Sequence, residues 1–453
     1  MKPTIVPAAG SSEAAPIDRA STRGAAAGLA ARPDSTGGLA ARLGRAGLLR
    51  ALSRLQHGEI RLIDAAEEQR FGHLSQRCAL SVTIRVLDAR FYAKAAFGGS
   101  VGAGEAYIQG YWSCDDLTAL VRIMVVNRGA LKHMERGIAR LSRPVRRAAH
   151  WLRRNSPAGS ARNIAAHYDI GNELYSLMLD ETMAYSCGIF QSEQATLAQA
   201  SRAKFDAACS KLALAPGDHL LEIGTGWGGL AIHAARHYGC RVTTTTISRA
   251  QHDYARERIE AAGLGERITL LLTDYRELSG CYDKLVSIEM VEAVGAQYLP
   301  AFFARCSQLL APHGAMLLQA ITLQDQLYAE AIASVDYIQR FIFPGSFIPS
   351  VSALLEAVRD ATDLKLFHLE DIGPHYARTL ALWRRNFFEH LDEVHRLGYP
   401  QSFVRLWEFY LCYCEGGFAE RQLGDVQMLL TKPACRRAPL ATVNAPPTLS
   451  PPG

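Results

Sequence analysis

A chain of 453 residues is too long for one ordinary domain and accommodates two plus tails. Its composition, 49% hydrophobic and 21% charged, is that of a globular protein with a full-sized core, and with no run of 18 apolar residues nothing in it spans a membrane as a helix. The net charge of +5 is a mild excess, and the ten cysteines are scattered without a Cys-x-x-Cys pair or a His at metal spacing, so no metal is expected on them and they read as reduced, mostly buried thiols of a cytoplasmic protein.

In chain order, residues 1–45 are rich in Ala, Gly, Ser and Arg without a continuous apolar core, and read as a disordered tail rather than a signal peptide. Residues 46–130 form a small domain. Glu59 to Asp64 and Leu80 to Leu87 alternate apolar and polar residues as half-buried strands do, and Phe91 to Phe97 reads as a short helix. Gly98-Gly-Ser-Val-Gly-Ala-Gly104 reads as a structural loop, since it lacks the Lys-Ser/Thr ending of a phosphate cradle, with helix again over Glu105 to Trp112 and Asp116 to Val126. The excess charge is concentrated in 131–162, where Arg143, Arg146, Arg147, Arg153 and Arg154 interleave with Leu141, Val145, Trp151 and Leu152. That is the pattern of a basic amphipathic segment lying on an anionic membrane, or of a solvated linker helix. No nucleic-acid-binding signature accompanies it, so no nucleic acid partner is expected.

Residues 163–435 alternate strands and helices, the order that gives a mainly parallel sheet. Strands are expected at Leu220 to Ile223, Arg241 to Thr246, Ile268 to Thr273, Lys284 to Ile288, Ala315 to Ile321, Leu364 to Leu369 and Asp425 to Thr431. Helices are expected at 231–238, 249–262, 299–310, 350–359, 376–397 and 401–418. Residues 436–453 read as a second disordered tail. The pivotal stretch is His219-Leu-Leu-Glu-Ile-Gly-Thr-Gly-Trp-Gly-Gly-Leu230, a strand, a glycine turn and a helix start, which is the shape of a nucleotide-cofactor loop. Gly224, Gly226 and Gly229 also satisfy the dinucleotide pattern, but the second strand carries no acid for a ribose. The acid stands instead at Glu222, as in motif I of S-adenosylmethionine-dependent methyltransferases.

Several stretches converge. His167-Tyr-Asp-Ile-Gly-Asn172, Tyr185-Ser-Cys187, Glu222 to Gly228, Thr246-Ile-Ser-Arg-Ala-Gln251, Asp274-Tyr-Arg276, Met290-Val-Glu-Ala-Val-Gly295 and Phe341-Ile-Phe-Pro-Gly345 together resemble the cyclopropane-fatty-acyl-phospholipid synthases, over roughly residues 60 to 435. The resemblance implies a Rossmann-like methyltransferase with a mainly parallel seven-stranded sheet, plus a small α+β amino-terminal domain. It implies S-adenosylmethionine on Gly224, Gly226 and Gly228, with Glu222 toward its amino acid part. Thr246, Ser248 and Gln251 would replace the missing second-strand acid, Tyr185 and Ser186 would meet the methionine end, and Tyr275 and Arg276 would flank the adenine. It further implies a bicarbonate ion as base, held by Cys187, Glu292, Tyr376 and the backbone at Ile321. Cys414 matches a cysteine long discussed as catalytic, although a helix-packing thiol fits it equally. Where many bacterial members carry a bicarbonate-binding His, this chain has Gln319, which donates a hydrogen bond but carries no charge; plant-like branches also carry Gln there.

The implied reaction begins with attack of a cis double bond of a phospholipid acyl chain on the sulfonium methyl and ends with loss of a proton from that methyl, closing a three-membered ring in a dry, aromatic site under a lid at 328–347. A methyl or methylene branch is the first alternative, a lipid-surface binding protein with a degenerate fold the second, and a methyltransferase for a small soluble metabolite the third. The expected partners are acyl chains at an anionic membrane surface, met from its cytoplasmic face as a peripheral protein; a homodimer is left open.

Overall fold

The computed structural model describes residues 38–129 and 171–440. The basic stretch at 131–162 lies outside the described residues, as do most of both tails and His167 to Ile170. The inner ends of the two tails correct the sequence reading. Helix α1, Leu39–Leu52, begins inside the stretch expected to be disordered, and at the other end the Arg437 guanidinium donates to the Lys211 carbonyl at 2.5 Å. The Ala- and Gly-rich composition hid an amphipathic helix. Leu48 and Leu52, one turn apart, are both buried, and Gly44 lets the helix approach Tyr92 so closely that an added Cβ would lie 2.6 Å from the Tyr92 carbonyl.

The small sheet has the order β2-β1-β3-β4, from β1 (Gly58–Ile63), β2 (Glu68–His73), β3 (Ser81–Val86) and β4 (Trp112–Cys114). Strand β1 alternates as expected, turning Ile60 and Leu62 into the core. Strand β2 was not legible, because its residues are mostly polar; it is an edge strand defined by antiparallel pairing with β1 rather than by burial. The expected loop at 98–104 is instead the middle of helix α2, Arg90–Ile108, which kinks at Gly99 (φ 59°, ψ −142°). Glycine here serves close packing rather than a loop: a Cβ on Gly104 would stand 2.4 Å from the buried Tyr337 ring. The helix expected to reach Trp112 stops at Ile108, and Trp112 opens β4. Helix α3, Leu117–Val126, is capped by Asp116, which accepts from the Ala119 amide at 2.8 Å.

The large sheet has the order β10-β11-β9-β8-β5-β6-β7, with β11 antiparallel to both neighbours and every other pairing parallel. Its strands are β5 (His219–Ile223), β6 (Arg241–Thr246), β7 (Ile268–Leu272), β8 (Tyr282–Ile288), β9 (Leu310–Leu323), β10 (Lys365–Asp371) and β11 (Leu423–Thr431). This is the Rossmann-like methyltransferase sheet expected. The helices are α4 (Asn172–Met178), α5 (Leu197–Leu212), α6 (Gly229–His233), α7 (Arg249–Ala261), α8 (Leu299–Leu309), α9 (Asp325–Ala331), α10 (Tyr337–Phe341), α11 (Val351–Ala361), α12 (Pro374–Glu389), α13 (Leu391–Arg396) and α14 (Gln401–Ala419). A π-helical turn continues α6 over Ala234–Tyr238, and the single helix expected at 376–397 breaks between α12 and α13 at His390.

Helix α14 joins the small domain to the large one. One apolar cluster runs from Ile60, Tyr92 and Ile123 through Trp407, Phe409 and Phe418 to Tyr376 and Trp383. Polar ties reinforce it: Tyr107 donates to Glu408 at 2.6 Å, Arg405 donates to the Trp112 carbonyl at 2.6 Å, and Arg122 pairs with Glu420 at 2.7 Å. Gly104→Ala is expected to lower unfolding free energy by about 1–3 kcal/mol through overpacking against Tyr337. Gly98→Ala, where an added Cβ meets nothing within 4 Å, should not lower it; denaturant midpoints of the two variants check this.

Candidate active site

Strands β5 and β8 are neighbours from which the chain proceeds in opposite directions across the sheet, so a crevice opens at their carboxyl ends. The turn after β5 carries the glycines and the turn after β8 carries Glu289 to Gly295. Both line one cavity of about 730 Å³, with Tyr185, Ser186, Glu222, Thr246, Gln251, Tyr275, Arg276, Ile321, Tyr376 and Cys414 also in its wall.

On the cofactor side, Gly224, Gly226 and Gly228 have φ of 103°, 53° and 84°, a left-handed path that side chains resist. The Gly224 and Thr225 amides both donate to the Thr245 carbonyl at 3.0 Å, which fixes the turn to β6. A Cβ on Gly226 would meet nothing within 4 Å, so the turn presents bare backbone to open space, as a cradle for S-adenosylmethionine requires. Glu222 is buried and accepts from the Thr244 hydroxyl at 2.5 Å; burial pushes its carboxyl up to about 8. Thr246 donates to Gln251 at 2.9 Å in the cavity wall, whereas the Ser248 hydroxyl accepts from the Gln251 amide as the cap of α7 and Gly228 serves the turn; neither of these two lines the cavity. Arg276 is paired to Asp274 at 2.6 Å, and Tyr275 stands edge-on to Phe302. Tyr185 and Tyr410 share a hydroxyl contact of 2.7 Å, and Ser186 accepts from the fully buried Lys204 at 2.6 Å.

The residues expected to hold bicarbonate do come together, around a group that sequence reasoning missed. Glu289, directly after β8, accepts from the Cys187 amide and the Gln319 side-chain amide at 2.8 Å each, and from the Tyr376 hydroxyl at 2.5 Å. Gln319 also donates to Asp425 at 2.9 Å and accepts from Gln427 at 3.0 Å, so its amide is committed on both sides. Of the donors assigned to bicarbonate by resemblance, the Cys187 amide and the Tyr376 hydroxyl are thus engaged by Glu289 and the Ile321 amide by Glu292, so these residues do not offer the same hydrogen bonds to a second anion. Glu292 accepts from the Ile321 amide at 2.6 Å, leaving its buried Oε2 without a protein partner.

Three carboxyl groups share this pocket, and burial raises all of them, Glu292 to about 8 and Asp425 well above its ordinary value. The hydrogen bonds set where negative charge is best held. Glu289 receives three donors, while Asp425 and Glu292 receive one each and are further raised by Glu289 itself, so the donors favour negative charge on Glu289 over its two neighbours. Lys204, whose own pKa burial lowers, favours that charge in its protonated form. Glu289 also sits at φ 47°, a left-handed conformation of the kind held only where surroundings enforce it. Neither cysteine is primed as a nucleophile. Burial pushes both thiols up, and the Cys187 Sγ faces the Gly188 and Ile372 carbonyls, so Cys187 contributes its backbone amide rather than its thiol.

The signal for Glu289 was present in the sequence: it directly follows the fourth strand, as Glu222 stands near the end of the first, and immediately precedes the Met290 to Gly295 motif. Lys204 could be suspected from its place on the apolar face of α5 beside Ala200, Phe205 and Ala208.

Residues 155–428 match the family model described as mycolic acid cyclopropane synthetase. A tuberculostearic acid methyltransferase of Mycobacterium tuberculosis is 38% identical over 352 residues, covering 74% of this chain and 79% of the relative. A cyclopropane-fatty-acyl-phospholipid synthase of Escherichia coli is 33% identical over 354 residues, covering 77% and 87%. The crystal structure of mycolic acid cyclopropane synthase CmaA1 complexed with SAH and CTAB is similar with a TM-score of 0.56 at 29% identity, covering 60% of this chain and 98% of that one.

Gly226→Val places a β-branched residue at φ 53° and a side chain in the cradle. It should weaken S-adenosylmethionine binding at least about tenfold by calorimetry; a folded variant with unchanged affinity would move the cofactor elsewhere. The glycine cradle, the sheet order and the match over 155–428 lead to one assignment: the chain belongs to the mycolic acid cyclopropane synthetase family of S-adenosylmethionine-dependent methyltransferases.

Proposed function

We propose that the protein adds one carbon across the cis double bond of an unsaturated phospholipid acyl chain, forming a cyclopropane ring, with Glu289 as the base. The observation that carries this reading is a buried, triply hydrogen-bonded carboxylate in the wall of an aromatic-lined cavity beside the cofactor cradle. When bound, S-adenosylmethionine supplies an electrophilic methyl group to the electron pair of the double bond. The Tyr185 and Tyr376 rings, both in the cavity wall, supply aromatic surface to the cationic carbon that results. Glu289 takes the proton from the newly attached methyl, and the electron pair of that C–H bond closes the ring. The side chains over 328–347, including Phe343 and Phe347 in the cavity wall, exclude the water that would quench the cation.

A second reading, a methylene or methyl branch on the same chain, is supported by the 38% identity to the tuberculostearic acid methyltransferase. Loss of the proton after a hydride shift would give a methylene product in the same pocket. Incubation with unsaturated phospholipid and analysis of the extracted acyl chains separates the two. The ring and the methylene branch both gain 14 Da relative to substrate, but ring protons replace alkene protons in one and a C=CH2 group remains in the other; a saturated methyl branch would gain 16 Da and require a separate hydride donor.

Glu289→Gln should retain cofactor affinity and lose roughly 10²- to 10⁴-fold in turnover. Because its pKa is raised, the basic form of Glu289 is lost as pH falls through a value above the usual carboxylate range, so wild-type turnover should decline on that acid limb. Wild-type turnover should also be indifferent to added bicarbonate; a rate that collapses when bicarbonate is removed would return the base to the free ion.

Among the described residues no helix is long and apolar enough to cross a membrane. We assign contact with the bilayer to the basic stretch at 131–162, which makes the protein a peripheral one. Vesicle sedimentation should strengthen with anionic lipid and weaken with salt, at about 1 kcal/mol per engaged cation. Equal binding to neutral and anionic vesicles would remove the electrostatic account.

A further inference from the structure

The cavity does not end at the methyl-transfer site. It continues past Tyr410 and Phe409 of α14 into the interior of the small domain, where its wall is Leu52, Ile60, Ile84, Phe91, Ala95 and Leu120. These come from α1, β1, β3, α2 and α3, so every layer of that domain contributes, and all six are apolar and buried. The kink in α2 forms part of the same wall. Gly98 and Gly99 line it, and a Cβ at either would meet no atom within 4 Å. The matched family region begins at residue 155, so this arm of the cavity is built by a part of the chain that the family model does not include.

We propose that the interior of the small domain seats the methyl-terminal part of the acyl chain, and that its depth limits how many carbons lie between the double bond and the chain end. The proposal rests on the acyl-chain reading given above and adds the position of the chain. Orientation follows from solvation: a phosphodiester head group has no partner among these apolar side chains and would be desolvated without compensation, whereas the terminal methylenes replace water contact with apolar contact. The head group therefore stays outside, the alkene lies between Glu289 and the glycine cradle, and the tail runs under α14 into the small domain.

The test uses the full-length enzyme and vesicles containing an equimolar mixture of phosphatidylglycerols, in two series. In one, the alkene stays at a fixed distance from the ester while the tail beyond it lengthens; in the other, the tail is fixed and the ester side lengthens. Product ratios are read by mass spectrometry for the wild type, for Ala95→Leu and Leu120→Phe, which shorten the arm, and for Leu120→Ala, which enlarges it. Shortening should shift product ratios at least about fivefold toward short tails in the first series, enlargement should shift them toward long tails, and the second series should be unmoved. Opposite shifts cannot come from general loss of folding. A wild type that modifies these lipids while the three variants keep its product ratios, or shift the second series instead, overturns the seat but leaves the acyl-chain reading standing. A wild type that modifies none of them overturns both.

Discussion

A carboxylate removed from water keeps its charge only where donors replace the solvent, and the site is arranged around meeting that condition for Glu289. Its three donors come from separate parts of the fold: the segment before α5, strand β9 and helix α12. Each is positioned by something larger. Gln319 faces Glu289 because β8 and β9 pair in parallel with Ile288 opposite Gln319, and its amide is oriented by Gln427, its partner in the β9–β11 register. Tyr376 is held by stacking on Phe418, which ties Glu289 to α14. A shift in any of these elements would leave a buried charge short of donors, so the geometry around Glu289 and the register of the central strands constrain one another.

The same arrangement accounts for the neutral side chain at 319. A histidine in that place could share or carry a proton, but an amide can bridge two carboxyl groups by donating to both without itself titrating. Opposite a resident glutamate, a fixed donor stabilises the charge at every pH where the glutamate is ionised. On the proposed reading the task that the resemblance assigned to a mobile anion falls to Glu289, and Gln319, Tyr376 and the Cys187 amide hold that negative group in place.

Helix α14 gives the molecule its second constraint. It carries Glu408 and Arg405 to the small domain and Tyr410 and Phe418 to the site, so substrate cavity and interdomain packing share one helix. The small and large domains consequently contribute to one apolar cluster and wall one cavity.

Most of the large sheet was legible because buried parallel strands are short apolar runs between helices of regular period, and the cofactor turn because its glycines stand at a strand end where only they tolerate the backbone. The edge strand β2 and the helical course of 98–104 were not legible. Pairing partners define the first, and a distant ring, Tyr337, explains the glycine of the second. The sequence by itself determined the strand order of the large domain, the cradle glycines and the family resemblance, because these rest on local periodicity and on motifs continuous in the chain. Only the tertiary structure decided which group the donors hold, since Glu289, Gln319, Tyr376 and Asp425 are far apart in sequence, and the sharing of hydrogen bonds and protons among buried carboxyls depends on distances of a few ångströms across β8, β9, β11 and α12.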